Sequence, residues 1–483
     1  MIRRALPLTA CALAACASDA PGPAVAPVPL PAIEAAAIRA GPHNVLSAVV
    51  TARVADADSA RIRFGLAVAG LDSVTPAIPF APDTMVLPLL GLLPDTVYRV
   101  QVVAYGPGGL AAGDTLDFRT GPLPIDLPAF SAGGSNPSPG YVVFAAYPAP
   151  YGVAIDNSGR VVWYRRLEGG LTLNFEVQAT GTYATSPTQP AADDPSPWVE
   201  YDFLGNEVRR LGCVGGLKSR FHELLAQADG SWWILCDETR VMDLSALGGH
   251  PAAEVTGTVV QHVDEAGSLL FQWSAFDHFA ITDLDSASRA GPSVNWTHGN
   301  ALAFDSDGGL LVSFRSLNEI TRIDPVSGAV RWRLGGLANQ FHVIGASAPF
   351  AGQHGVRVSP LGGIVFLDNR GLAGDSRTVR YALDGSALTA TELAAYHGTP
   401  PVTALLGGST QPMANGHTLT AYGNGNRVQE YDETGAVVWE IHGNAGYVFR
   451  AQRIGSLYRP GAAPPAARQP PDPIGKRDSE ANP

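Results

Sequence analysis

The chain has 483 residues, a formal net charge of −12 and only 16 % charged residues. That length accommodates more than one domain, and an acidic balance without any lysine or arginine cluster excludes the electrostatic footprint of a nucleic-acid binder. Fifty-four glycines and 39 prolines make a turn-rich composition that points to β architecture, and no apolar run beyond the N-terminus is long enough to span a bilayer.

Residues 1–16, MIRRALPLTACALAAC, place two arginines, a short apolar stretch and small residues before Cys16. This is the layout of an export signal. Leu13-Ala14-Ala15-Cys16 resembles the bacterial lipoprotein box, which implies lipidation of Cys16. An ordinary cleaved signal is the alternative, and Leu8-Thr9-Ala10-Cys11 is a poorer box because little apolar sequence precedes it. Residues 17–42, rich in proline and alanine, read as a semi-rigid tether. The expected location is therefore exported, periplasmic or at the cell surface, with membrane attachment through the lipid alone.

Residues 43–122 show short alternating strands, among them NVLSAVVTARV, ARIRFGLAV and TVYRVQVVAYG. The stretch GLLPDTVYRVQVVAYGPGG followed by LDFRTG resembles the end of a fibronectin type III domain. That resemblance implies a β-sandwich in which Tyr98 locks a corner, acting as a spacer or docking module.

Across 123–458 one pattern recurs six times: an apolar strand, a polar turn with glycine, and a strand often carrying tryptophan. The copies are VAIDNSGRVVWYRR, VEYDFLGNEVRRLG, QHVDEAGSLLFQWS, TRIDPVSGAVRWRLGG, VRYALDGSALTATEL and QEYDETGAVVWEIHG. Asp156, Asp202, Asp264, Asp324 and Asp432 hold the same place, where a carboxylate bonds turn amides and glycine supplies positive φ. A recurrence of roughly 46 to 62 residues suits one four-stranded propeller blade. The fold expected is all-β, a six-bladed β-propeller preceded by the small sandwich. The first copy is one strand short, and YVFRAQRIGSLY near the end supplies a strand to close the ring. Residues 459–483 read as a disordered tail by composition.

In a propeller the innermost strand of each blade lines the axis. Aligning the starts of these strands puts Asn174, His222, His298, His354 and Gln411 at the blade entrances, with Arg450 or Arg453 from the closing strand. Three of five are histidine in a chain with eleven. Three imidazoles can bind zinc, but no carboxylate completes the set and Glu223 alternates to the other face. No metal and no cofactor is expected. Arg315 and Arg370 end second strands, on the same rim as the starts of their antiparallel neighbours. Histidines with arginines make an anion site, because a guanidinium offers paired donors to a tetrahedral oxyanion. An oxidising compartment makes Cys213 and Cys236, read on neighbouring strands, a candidate disulfide; two free buried thiols are the alternative. DSDGG at 305–309 reads as a hairpin turn, His417 as an exposed turn residue, and His262, His278, His342 and His442 share no register.

The segments THGNALAFDSDGGLLVSFRSLNEITRIDPVSGAVRWRLGG, FAGQHGVRVSP and ANGHTLTAYGNGNRVQEYDETGAVVWEIHG resemble the bacterial arylsulfotransferases. The resemblance implies sulfuryl transfer from a phenolic sulfate ester to a phenol, without a nucleotide donor, through a sulfohistidine. By the matched motifs His354 is the nucleophile, while His222, His298, Asn300 and Arg315 hold sulfate oxygens and protonate the leaving phenolate. Asn174, Gln411, Arg370 and Arg450 are further candidates for the substrate's surroundings, and the partners expected are an aryl sulfate and a phenol. Phe314 precedes Arg315 where serine is more usual, and Gly355 follows His354 where many members carry an acidic residue. The partner of His354 is therefore left unassigned. The competing reading is a non-catalytic binding or adhesion module whose funnel holds an anion.

Overall fold

The computed structural model describes residues 28–82, 84–191, 194–371 and 374–459. The expected signal, Cys16 and nearly all of the expected tail lie outside the described residues.

The N-terminal unit stacks two sheets. One contains strands Ala32–Ala40, Ala48–Ala55 and Met85–Leu89; the other contains Ser59–Leu66, Val97–Gly106 and Gly109–Arg119, with short pieces at Ser73–Val74 and Ile78–Pro79. Alternation sends Val50, Ala52, Ile62, Val100 and Val102 into one shared core. Tyr98 is buried there, and its hydroxyl accepts the Leu93 amide at 2.8 Å. The span 17–42, read as tether, contains the strand Ala32–Ala40. Its small side chains and its alternating Ile33, Ala36 and Ile38 let it add antiparallel to Ala48–Ala55 and pack on the core. Proline and alanine content alone conceals that pairing.

The second unit is a propeller. Among the described residues it comprises six successive sheets, each built on four antiparallel strands from the axis outward; Ser293–Asn295 and His342–Ile344 add in parallel to the third and fifth. The innermost strands are Ala451–Ile454, Asn174–Val177, Lys218–Ala226, Gly299–Phe304, His354–Val358 and Ser409–Pro412. The late strand Ala451–Ile454 pairs with Tyr141–Ala145, from Tyr141↔Ile454 to Phe144↔Ala451, and completes the first sheet. A second closure is absent from the sequence reading: Ala132–Gly133 pairs with the outer strand Val437–Ile441 of the last sheet. Two residues are too few to show a period.

The recurring aspartates cap turns as expected. Asp156 Oδ1 accepts the amides of Ser158 and Arg160, Asp202 Oδ1 those of Leu204 and Asn206, and Asp432 Oδ1 those of Thr434 and Ala436. Each such bond contributes about 1 kcal/mol. Gly159, Gly205 and Gly435 take φ of 90, 84 and 85° in these turns. The tryptophans are packing residues. Trp163 and Trp439 are fully buried, and each donates its indole N–H to the turn of the next sheet, at Phe203 O and Asn157 O. Sandwich and propeller touch: Leu46 enters a propeller core, and the Leu90 amide donates to the Tyr458 hydroxyl at 3.0 Å.

Candidate active site

Three blade entrances bring imidazoles together near the axis. His298 immediately precedes Gly299–Phe304 and holds φ of 52°. This left-handed turn is uncommon for a residue with a side chain. It lets the His298 carbonyl accept the Arg315 amide at 3.0 Å, tying both residues to one rim. His222 lies where the pairing of its strand shifts register between Ser219 and Leu224. The irregularity stacks the Phe221 and His222 rings at 4.1 Å, which strict alternation forbids. His298 Nε2 lies 3.3 Å from His222 Nε2, and His298 Nδ1 lies 2.6 Å from Asn295 Nδ2. His354 opens its strand, with Nδ1 2.9 Å from Gly352 O and 2.9 Å from Asn369 Oδ1. The edge of Phe449 spans the space between, its centroid 5.6 Å from His222 and 6.3 Å from His354.

Burial fixes the protonation of this group. His354 is pushed down to about 4 by desolvation, which its hydrogen bonds to Asn369 and Gly352 oppose and the positive charges of Arg315 and Arg450 reinforce. His222 and His298 are held well below the usual imidazole range, again by burial first, with Arg220 and the neighbouring imidazoles adding to it. All three are neutral bases near pH 7. His222 Nδ1 is buried without a partner. Arg315 is half-buried; one arm donates to Leu405 O at 3.2 Å while its Nε has no partner. Desolvation lowers the Arg315 guanidinium, opposed by Tyr447. An underused guanidinium among neutral imidazoles can receive an anion at little extra desolvation cost.

Beneath the imidazoles lies a closed ionic cluster. Glu223 does alternate away from His222, but into the interior. It accepts Arg450 Nη1 on both oxygens at 2.7 Å and Arg357 at 3.0 and 3.1 Å. Burial alone would raise Glu223; Arg357 and Arg450 outweigh it and hold the carboxylate below its usual range. Glu176, 3.5 Å from Arg450 Nε, is pushed up to about 8 by burial.

This cluster reassigns several residues. Arg450 is turned to the interior: it is 1 % exposed, its Nη1 donates to both oxygens of Glu223, and its other arm donates to His222 O and Asn300 O at 2.6 and 3.3 Å. Asn174 is likewise committed, donating to Phe221 O, His222 O and Glu176. Gln411 sits two residues inside its strand and clasps the backbone of Arg453 at both ends of its amide. Arg370 takes a left-handed bend with φ of 57° and keeps a buried Nε without a partner, while Asn369, from the same strand end, reaches the imidazole. Asn300 is fully buried, donates to Gln353 O at 2.7 Å and keeps an unpartnered Oδ1. Phe314 points into the core between the third and fourth sheets with Trp273 and Phe279, so its departure from serine leaves the imidazoles untouched. Phe221, Asn369, Phe449 and the cluster role of Glu223 were missed. Only the adjacency Phe221-His222-Glu223 offered a signal.

Cys213 and Cys236 are bonded. Cys213 follows the outer strand Glu207–Leu211 rather than lying on a strand, so the bridge ties the second sheet to the third. A cleft of about 930 Å³ runs beside this bridge, lined by Arg209, Cys213, Lys218, Arg220, Phe221 and Asp237. It ends at Phe221; the three imidazoles do not line it. Among the described residues no group of three or more His, Cys, Asp or Glu is placed to hold a metal ion.

Residues 218–444 match the family model described as Arylsulfotransferase (ASST), a span that includes His222, His298, Asn300, Arg315 and His354. No curated protein matches the chain. Solved structures are similar at low identity. A protein of unknown function from Bacteroides caccae is 13 % identical with a TM-score of 0.40, covering 63 % of this chain and 93 % of its own. A streptogramin B lyase is 12 % identical with a TM-score of 0.38, over 65 % and 84 %. A gluconolactonase from Xanthomonas campestris is 15 % identical with a TM-score of 0.36, over 65 % and 98 %. Likeness at this level carries no argument about chemistry.

Proposed function

From the membership of residues 218–444 in the arylsulfotransferase family, we propose that this protein transfers a sulfuryl group from an aryl sulfate ester to a phenolic acceptor through His354. The observation that carries the reading is the meeting of three neutral imidazoles, His222 and His354 buried and His298 half-buried, with an incompletely paired Arg315.

Each step balances. The free ring nitrogen of His354 attacks sulfur and forms an N–S bond as the S–O bond to the aryl group breaks. The aryl group leaves as a phenolate that takes its proton from solvent, its charge balanced by Arg315 and by the imidazolium that the sulfated His354 ring becomes. The acceptor phenol gives its proton to the neutral pair His298 and His222, which stand 3.3 Å apart, while its oxygen attacks sulfur and the N–S bond breaks; the pair then releases that proton to solvent. Arg315 serves the sulfate oxygens, where charge must be balanced as bonding shifts, while Asn300, whose Nδ2 donates to Gln353 O at 2.7 Å, holds the backbone beside His354. Two steps spare the site from aligning two phenols at once. Phe221 and Phe449 supply apolar faces for an aryl ring beside the imidazoles. The Cys213–Cys236 bond supports export to an oxidising compartment, and lipidation at Cys16 remains part of the proposal.

Incubation with 4-nitrophenyl sulfate and a phenol tests this. Acceptor-dependent release of nitrophenol, with a sulfated His354 found by mass spectrometry after exposure to donor alone, is expected. Absence of turnover with any phenol while sulfate still binds would favour an anion-binding module.

A further inference from the structure

The partner of His354 is the residue the sequence left open. Gly355, the position where a carboxylate is more usual, takes φ of 66°, and a Cβ there would lie 2.9 Å from Ser409 Cα on the next sheet. That position accepts no side chain without moving the neighbouring strand. The support comes from Asn369 instead, which follows strand Ile364–Asp368 and is fully buried.

The orientation of the Asn369 amide is settled by its surroundings. Its Nδ2 donates to Ala404 O at 2.7 Å and to Gly407 O at 2.9 Å, both backbone acceptors. Reversing the amide would point its oxygen at two carbonyls, so Oδ1 must face His354. His354 Nδ1 then confronts two acceptors, Asn369 Oδ1 and Gly352 O, and no donor. An imidazole nitrogen between two acceptors carries the proton.

We propose that Asn369 is the positioning residue of the transfer reaction: it fixes the proton of His354 on Nδ1 and so presents the Nε2 lone pair to sulfur. The inference rests on the sulfuryl-transfer reading for its kinetic consequence but not for its geometry. The choice of a neutral amide also has a chemical effect. A carboxylate at this place would stabilise an imidazolium and make the ring a stronger base; an amide fixes the tautomer without adding charge. The resulting weakly basic nitrogen is a good leaving group from sulfur. It therefore suits donors whose own phenolates leave easily and passes the group on readily to the acceptor.

The test begins with the unaltered protein, labelled with ¹⁵N in its histidine rings. The nitrogen shifts of His354, assigned by their loss in His354→Gln, should show a protonated Nδ1 and an unprotonated Nε2 at pH 7. A proton on Nε2 would overturn the proposal whatever the activity. Asn369→Leu, which keeps volume but removes the acceptor, should lower kcat by about 10- to 100-fold with KM nearly unchanged, and should mix the two ring tautomers. An Asn369→Leu protein that folds and keeps both kcat and the tautomer would also overturn it. If that variant does not fold, the wild-type nitrogen shifts decide alone. If the tautomer is as stated but no phenol is sulfated, the functional reading fails while the assignment of Asn369 stands.

Discussion

The closing strand delivers an arginine to each of two histidine clusters, and the two use it differently. On the entrance side Arg450 braces Glu223 below three imidazoles, none of which is paired with a carboxylate among the described residues. At the far end of the inner strands Arg453 pairs with Glu430 at 2.7 Å and donates to Asn157 at 2.7 Å. Glu430 also meets His417 Nδ1 at 2.7 Å, and Ser138 Oγ stands 3.3 Å from that same nitrogen. Serine, histidine and glutamate in contact suggest a hydrolytic triad. Both contacts fall on Nδ1, however, so the ring cannot take the serine proton while the carboxylate orients its other nitrogen. His417, read from sequence as exposed, is 9 % exposed and belongs to this girder. Residue types alone do not separate the two ends. Both leave buried polar atoms without a hydrogen bond, His222 Nδ1 and Arg315 Nε at the entrance and Arg453 Nε at the far end; what separates them is that His417 meets a carboxylate and the entrance imidazoles do not.

Substitutions that treat the ends alike should give opposite results. His354→Ala should lower transfer at least about a thousandfold by removing the attacking nitrogen, measured as nitrophenol release in the presence of phenol. Arg315→Met should cost about 10²- to 10³-fold in kcat/KM, the scale for losing one preorganised donor to developing charge. His417→Ala should leave transfer within about threefold and instead lower stability by about 1–3 kcal/mol in urea melts, the cost of leaving Glu430 and Ser138 short of a partner. Loss of transfer in His417→Ala with an unchanged melt would break the contrast.

The smallest effect concerns pH. With His354 lowered to about 4, the attacking nitrogen stays unprotonated through mildly acid solution. The acid limb of kcat/KM should fall near pH 4 rather than near the ordinary imidazole value of 6.5. The sign for stability is opposite to that of a salt-bridged histidine. The unfolded chain binds a proton at His354 that the folded chain refuses, so stability declines as pH drops from about 6.5 and levels off below about 4. His222 and His298 shift in the same direction and steepen that decline. A pH series of urea melts, compared with His354→Gln, checks both the slope and its source.

Much of the fold was legible because its signals are local. Asp156, Asp202, Asp264, Asp324 and Asp432 repeat at one place in a hairpin, and turn chemistry acts over four or five residues. The entrance histidines were found by extending that register. What register could not reveal is where chains meet around the axis. Arg450 reads as a funnel residue until Glu223 is seen beside it, and Asn369 differs from Arg370 by one bond of backbone in a turn whose bend no pattern encodes. The strand Ala32–Ala40 was hidden for another reason: its alanines and isoleucines gain a partner only through Ala48–Ala55.

The placement of Arg450 also sets an order of events during folding. It grips the carbonyls of His222 and Asn300 from 228 and 150 residues further along the chain. Contacts this distant pay a large loop-closure cost and form late. Arg450 immediately precedes Ala451–Ile454, the inner strand that seals the ring. Sealing and bracing are thus one event, and an unfinished ring holds its imidazoles on separate, unbraced sheets. The arrangement of the imidazoles thus depends on the strand that closes the ring.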